Sequence, residues 1–519
     1  MADALNALNS IIWSPALVFL CLAAGIYFTI ATRFVQLRGL PDMLRQLRRG
    51  EKSENGVSSF QSLMMSLAGR VGVGNIAGVA TAIAFGGPGA VFWMWMVAFL
   101  GASTSFIECT LAQIYKEQDR DTGEYRGGPA FYLEKAYRHT KAAPFMLFYG
   151  IVFAIAMIFS TSYFLPGIQA NGVAAAVNNA WGVDVKITAV VLAVVLALII
   201  IGGVKRIANF ATMVVPAMAA IYIAVAIVIL FINFDQIPHV FGLIFKSAFN
   251  AEATFAGLFG SAIMWGVRRG IYSNEAGQGT GPQARQLRRS LIPQNRALLK
   301  HLPCTWIHFL FVLRRRSSLS RPICTRFFPG RVKRGRLFTK ARCLMEFRWG
   351  AGFVQSGLDS VASGLGPSFI AVAIMFFAFT TVVAYYYLSE TNFAYLNRWV
   401  HSKGLRRLII WGLRSLMIVS VLVGATSTPG AAWTLGDIGV GTTAWLNVIG
   451  ILILQVPALK CLRDYYRQKK AGLEPDFDPD AVGIKNADFW VERKRRREAV
   501  GAERGAHIDP RLGDAPYEP

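Results

Sequence analysis

The chain of 519 residues is 54% hydrophobic and only 16% charged, and its mean hydropathy of +0.41 is too high for an ordinary water-soluble domain. Its formal charge of +24 invites a nucleic-acid reading, but 17 of the 54 Lys and Arg lie between Arg285 and Arg348 against the single acid Glu346, so the excess is local and nucleic acid is not an expected partner. The six cysteines, Cys21, Cys109, Cys304, Cys324, Cys343 and Cys461, form no CxxC pair, which excludes a zinc framework and a disulfide ladder.

Apolar stretches follow in chain order at about 12–32, 58–86, 89–115, 145–170, 187–203, 208–233, 254–280, 365–388, 408–424 and 433–459. Each is long enough to cross a bilayer or nearly so. The first has no basic n-region and no convincing cleavage site after it, so it is read as a span and not as a signal peptide. Residues 1–57 thus form an extra N-terminal helix with a basic cytoplasmic loop. Residues 58–459 form the core, and 460–519 a polar cytoplasmic tail in which "AGLEPDFDPDAVG" reads as a loose linker.

The basic interval between the seventh and eighth stretches has neither helical nor strand period. One reading is a basic loop against anionic headgroups. The favoured one is a frame slip: translated one base out of register, Trp306 and Ile307 must give Asp, and the remaining codons permit a polar loop followed by an apolar stretch. On that reading residues 283–349 replace one native helix, and ten visible spans stand for eleven. Charge bias agrees. With the amino terminus outside, inward loops 33–56, 116–142, 204–207 and 389–407 carry 18 Lys and Arg, whereas the outward segments carry two, Lys186 and Lys246.

Two spans are broken by glycine. "SLAGRVGVGNIAGVATAIAFGG" places Gly69, Gly72, Gly74 and Gly78 around Asn75, and "TFAGLFGSAIMWGVRRGIYSNEAGQGTG" contains Gly257, Gly260, Gly266, Gly270, Gly277 and Gly279. Polar groups inside hydrocarbon are tolerated where they line a cavity. With the first span set aside as an extra, the broken ones become first and sixth of ten. That is the arrangement of an inverted five-plus-five repeat with its site at the midplane. Gly74 and Gly78 also make a helix-packing pair; Arg268 and Arg269 suit an interfacial anchor, with Glu275 pairing to one of them. "GVGNIAG" lacks the preceding strand of a dinucleotide loop. Glu108, Glu275, Asp437 and the histidines form no recognisable catalytic pair, and no GxxxxGK[ST] loop is present, so neither an enzyme nor an ATP-driven pump is expected.

"GGPGAVFWMWMVAFLG" at 86–101 closely resembles the signature of the sodium:alanine (alanine/glycine:cation) symporter family. "GVGNIAGVATAIAFGGPGA", "GVRRGIYSNEAGQGTGP" at 266–282 and "FFAFTTVVAYYYLSE" at 376–390 are similar to its other blocks. The resemblance implies an all-α polytopic protein of the inverted-repeat amino-acid transporter fold in the cytoplasmic membrane. It implies symport of a small neutral amino acid, alanine or glycine, with Na⁺; H⁺ coupling, or an amino-acid or ion channel, is the alternative. Na⁺ is then cargo, and no cofactor is expected. Carried over, Gly72, Val73, Gly74 and Asn75 hold the amino acid, Gln169, Asn171 and Gly266 join them, Thr381 contacts substrate, and Thr380 with Thr381 offers hydroxyls to Na⁺. One departure stands out: Ala384-Tyr385 replaces the family's frequent Gly-Trp after the Thr pair, which leaves alanine, glycine or a slightly larger substrate open.

Overall fold

The computed structural model describes residues 2–42, 68–70, 72–119, 123, 125–201, 203–249, 256–285, 350–359, 364–473 and 475–504. Most of the interval read as out of frame, with the helix it would replace, lies outside them. The described chain is helical: α1 (Ala2–Ile12), α2 (Pro15–Ala31), a π-turn Gly74–Gly78 leading into α3 (Val79–Gly86), α4 (Gly89–Ile114), α5 (Pro129–Ala136), α6 (Ala143–Phe159), a second π-turn Ser160–Phe164, α7 (Leu165–Trp181), α8 (Val185–Ile200), α9 (Gly203–Ile232), α10 (Ile237–Phe249), α11 (Ala256–Asn274), α12 (Thr280–Arg285), α13 (Ala351–Asp359), α14 (Gly366–Asn397), α15 (Lys403–Thr426), α16 (Pro429–Lys470) and α17 (Asp488–Arg504). A two-residue antiparallel ladder, Glu117–Gln118 with Tyr125–Arg126, joins α4 to α5.

Local chemistry starts and stops these helices. Proline occupies the first turn of α2, α5, α6, α7, α14 and α16, where its missing N–H costs nothing and its fixed φ suits the helix. Gly182, left-handed at φ +68°, ends α7.

Seven described helical stretches are long and apolar enough to span a bilayer, and the shorter Gly74–Gly86 and Val185–Ile200 are apolar too. Their polarity is inside out. On α8 the residues Thr188, Ala189, Leu192, Ala193 and Leu196 are buried, while Ile187, Val190, Val191, Val194 and Leu198 are exposed on the opposite face. Phe19, Ile30, Phe145, Phe148, Phe231 and Ile232 are likewise exposed. Such an apolar belt is stable only against lipid. The chain is an all-α, multi-pass membrane protein.

Glycine sets the closest helix approach. A Cβ on Gly424 of α15 would lie 2.2 Å from Gly167 Cα of α7, so those backbones touch as small residues permit. Beside this contact the Asn171 amide donates to Gly424 O at 3.0 Å, which also accepts from the Ser427 N–H, and to Ser427 O at 2.7 Å, so it helps to cap the end of α15.

The tail differs from the loose linker expected. Phe477, Ile484, Ala487 and Trp490 are buried. The Trp490 indole N–H donates to Gln113 O near the end of α4 at 2.8 Å, and Asn486 donates to Lys135 O. The Lys116 ammonium sits 4.5 to 5.0 Å from the rings of Tyr125, Phe489 and Trp490, favourable cation–π geometry. Aspartates and prolines between 475 and 480 gave the segment its disordered look, and a few anchoring apolar residues outweigh them.

The Gly167–Gly424 contact makes a stability prediction. Gly424→Val should lower unfolding free energy by roughly 1–3 kcal/mol through overpacking, whereas Gly430→Ala, with open space around it, should be neutral; thermal melts of the detergent-purified protein compare the two.

Candidate functional site

The first broken helix turns irregularly at Gly69 and Arg70 before the π-turn at Gly74–Gly78. π-turns leave the regular ladder and recur at functional positions. Here the main chain is answered from other helices. The Val73 N–H donates to Gln169 Oε1 of α7 at 2.9 Å. Thr381 Oγ1 of α14 lies 2.8 Å from both Ala68 O and Phe377 O, so its single proton serves one carbonyl at a time. A Cβ on Gly72 would fall 2.7 Å from Gln169 Oε1 and 2.9 Å from Thr381 Oγ1, and one on Gly74 would fall 2.5 Å from the Tyr272 ring. Only glycine lets these three side chains reach the backbone.

Gly72, Val73, Gly74, Gln169 and Thr381 are therefore brought together, and Asn75 sits on the same turn. Asn75 is 2% exposed, and its side-chain Nδ2 has no hydrogen-bond partner among the described residues. A buried bare donor is costly. Thr380 is buried beside Thr381, but its hydroxyl donates back to Phe377 O at 3.0 Å, the local bond common for Thr in a membrane helix. Two expected residues lie elsewhere. The Asn171 amide is committed to α15, as described above. Gly266 sits in the unbroken part of α11, where a Cβ would meet Ala90 O at 2.5 Å and Trp93 Cβ at 2.6 Å; it is a packing glycine against α4.

The second break falls at the last two glycines of its pattern, Gly277 and Gly279, between the end of α11 at Asn274 and the start of α12 at Thr280. Glu275, Gly277 and Gly279 take positive φ of 53°, 80° and 81°, and for Glu275 that conformation is strained. The loop is held by its own caps: Asn274 Oδ1 accepts from the Ala276 N–H at 2.7 Å, and Gln278 donates to Ile271 O at 2.7 Å. Glu275 accepts from Thr280 at 2.9 Å and from the Tyr385 hydroxyl at 3.3 Å, and lies 3.9 Å from Arg70 of the first break. The two broken segments thus touch through a buried ion pair and through Tyr272 on Gly74.

Pairing of Glu275 with Arg70 corrects the expectation that it joins Arg268 or Arg269. Both arginines instead engage Asp437 of α16. Arg269 is bidentate at 2.9 and 2.8 Å and Arg268 lies at 2.7 Å; Arg269 and Asp437 are each 2% exposed. The Arg269 guanidinium also lies 4.4 Å from the Trp433 ring centre, and that of Arg268 5.2 Å from Trp13. Arg269 and Asp437 are buried, Arg268 is half-buried beside them, and all three are hydrogen-bonded charges within the helix packing. Arg70 and Tyr272 escaped the sequence reading, and Asp437 entered it only as an acid without a catalytic partner. Tyr385 alone carried a signal, as the residue departing from the family's Gly-Trp.

Two changes test this geometry. Gly72→Ala should displace Gln169 or Thr381 and cost about 1 kcal/mol per lost hydrogen bond, seen as a lowered melting temperature of the purified protein. Asp437→Ala leaves the buried Arg269 and the half-buried Arg268 without their shared anion and should cost about 3–5 kcal/mol of stability, read as loss of folded, inserted protein.

Comparison with known proteins fits this picture. The model of the sodium:alanine symporter family matches residues 1–479. YrbD of Bacillus subtilis (strain 168), named as a candidate sodium/proton-dependent alanine carrier, is 47% identical over 491 residues, 94% of this chain and 98% of its own. The sodium/proton-dependent alanine carrier protein of Bacillus sp. (strain PS3) is 42% identical over 88% of this chain and 98% of its own. The sodium/alanine symporter AgcS of Methanococcus maripaludis is 36% identical over 86% of this chain and 94% of its own. A family match across most of the chain, together with a lipid-facing belt and two interrupted helices in contact, makes this protein a member of the sodium:alanine symporter family.

Proposed function

We propose that the chain is a secondary carrier that moves alanine, or a neutral amino acid of similar size, together with Na⁺ by alternating access. The observation that carries the reading is the first break. There the Ala68 carbonyl lies before the irregular turn and the Val73 N–H and Asn75 amide after it, an acceptor and donors that are all buried. A zwitterion needs such a pairing: N–H groups for its carboxylate, and carbonyl or hydroxyl oxygens for its ammonium. A carboxylate taking the Val73 N–H would exchange with Gln169 Oε1, so the donor is not left bare in an apolar medium. Tyr272 on Gly74 limits the side-chain room beside it.

Na⁺ is a hard cation that takes oxygen ligands. The Thr381 hydroxyl and Ala68 O supply two of them from α14 and the first break. Their 2.8 Å hydrogen bond can open as an ion enters, and each ligand bound raises affinity for the other by linkage. Thr380 is the second hydroxyl of this proposed set, after rotation away from Phe377 O.

The two breaks take corresponding places, first and sixth, in an inverted five-plus-five repeat preceded by α1 and α2. With the amino terminus outside, as the distribution of Lys and Arg favours, the Asp437 cluster lies on the outer side of the site and Arg70–Glu275 on the inner side. Along the first broken helix, Arg70 precedes Gly72, and Gly78, beside Arg269, follows Asn75. Each pair joins elements that must part for access from its own side. No bond of the substrate is made or broken in this cycle, and the chain works in the cytoplasmic membrane with its carboxyl tail inside.

Uptake of alanine into proteoliposomes should saturate and should need an inward Na⁺ gradient. Non-saturating flux would favour a channel, and uptake driven by a proton gradient alone would favour H⁺ coupling. Thr381→Ala should raise the half-saturating Na⁺ concentration roughly tenfold, the equivalent of about 1.4 kcal/mol, and Thr381→Ser should restore it; an unchanged Na⁺ dependence in Thr381→Ala would remove this residue from the ion site.

A further inference from the structure

A second polar cluster grips the break in the other discontinuous helix, the one that carries Glu275. Glu108 of α4 is fully buried. Its Oε2 accepts from the Gly279 N–H at 3.2 Å and from Asn447 Nδ2 of α16 at 2.8 Å. Asn447, also fully buried, donates in addition to Gly277 O at 2.9 Å and accepts at Oδ1 from the Tyr132 hydroxyl of α5. Gly277 and Gly279, the two left-handed glycines of the break, are thus tied by side chains from α4 and α16, and α5 braces the tie.

The same glycines are fenced by packing. A Cβ on Gly279 would lie 2.5 Å from Pro129 Cγ and 2.8 Å from Phe153 Cζ, and one on Gly277 would lie 2.9 Å from Val448 Cγ2. The segment between Asn274 and Thr280 has left the helical ladder, so its remaining backbone groups need side-chain partners. One carboxyl oxygen, Glu108 Oε2, serves two donors, the Gly279 N–H and the Asn447 amide.

We propose that Glu108 is a positioning residue for transport. Through Asn447 it fixes the left-handed turn at Gly277–Gly279, and that turn in turn presents Glu275 to Arg70 and Tyr385. The inference rests on the carrier reading for its effect on transport, but its anchoring part stands apart from it. When the anchor is removed, the turn samples many conformations and the binding-competent fraction falls. Apparent affinity then drops by that fraction while turnover of the saturated carrier is kept.

Hydrogen exchange of the purified full chain reads the anchor whether or not the protein transports. In Glu108→Ala, peptides covering residues 275–281 should exchange at least tenfold faster, with those of α7 unchanged. Glu108→Gln, which keeps an acceptor oxygen, should stay within threefold of the parent. Uptake should show the half-saturating alanine concentration raised at least tenfold in Glu108→Ala, with maximal rate within threefold and rescue by Glu108→Gln. Tyr132→Phe, a milder change that only removes the brace, should shift exchange and half-saturation in the same direction by a smaller factor, and it keeps the test open should Glu108→Ala fail to insert. Unaltered exchange at 275–281 in Glu108→Ala and Tyr132→Phe would overturn the anchor. Faster exchange with unaltered half-saturation would overturn its role in transport, and a parent chain without Na⁺-driven uptake would count against the carrier reading alone.

Discussion

Polar main chain placed in an apolar interior has to be answered, group by group, by the protein itself. At the first break Gln169 answers Val73 N–H and Thr381 answers Ala68 O. At the second, Asn274 answers Ala276 N–H, Gln278 answers Ile271 O, Glu108 answers Gly279 N–H and Asn447 answers Gly277 O. Apart from Gln278, which lies within the second break, each answering side chain fixes the rotation of the helix that carries it. The placement of α4, α7, α14 and α16 around the breaks is therefore a consequence of two short stretches of unwound backbone, and the surrounding apolar contacts fill what remains.

Charge in the same interior follows a stricter rule, since the desolvation of a lone ion costs several kcal/mol and a single pair recovers it only with good geometry. Asp437 receives three hydrogen bonds from two guanidinium groups, and Trp13, Trp265 and Trp433 lie over those cations. Small residues make the arrangement reachable. A Cβ on Gly436 would lie 1.9 Å from Ile168 Cδ1, and one on Gly439 would lie 2.8 Å from Ser160 Oγ. The glycines flanking Asp437 let α16 settle against α7 and the second π-turn, so the depth of the carboxylate is set by packing as well as by its partners.

What could be read from the residues followed from local rules. Spans, their interruption by glycine, and the grouping of Gly72, Val73, Gly74 and Gln169 needed only hydropathy, the cost of Gly in a helix and a family block to align them. Pairings across the fold were out of reach. Asp437 lies 168 residues from Arg269, and no periodicity links them; the nearer Glu275 looked the better partner until Arg70 proved to face it. Asn171 is two residues from Gln169, and on a helix that spacing turns it away by about 200°, so nearness in sequence misled where helical geometry would have corrected it. Gly266 misled because packing glycine and unwinding glycine have the same letter. The tail misled by composition, since Trp490 and Phe477 anchor it against an average dominated by charge.

The character of the site also bears on why a moving carrier, and not a pore, is the better physical account. Glycines at the first break are covered by the Gln169 amide, the Thr381 hydroxyl and the Tyr272 ring at contact distance, and Trp433 lies against Tyr272 with ring centres 5.5 Å apart. Buried ion pairs stand before and after that turn along the helix. A permanent water-filled path would have to hydrate these groups continuously, and the tight fit of side chain on glycine leaves them no room for it. On the proposed reading the same closeness becomes useful. A solute that replaces Gln169 and Thr381 as partner of the backbone must displace both helices that carry them, α7 and α14, and so couples its own binding to the relative motion of the elements that open the site.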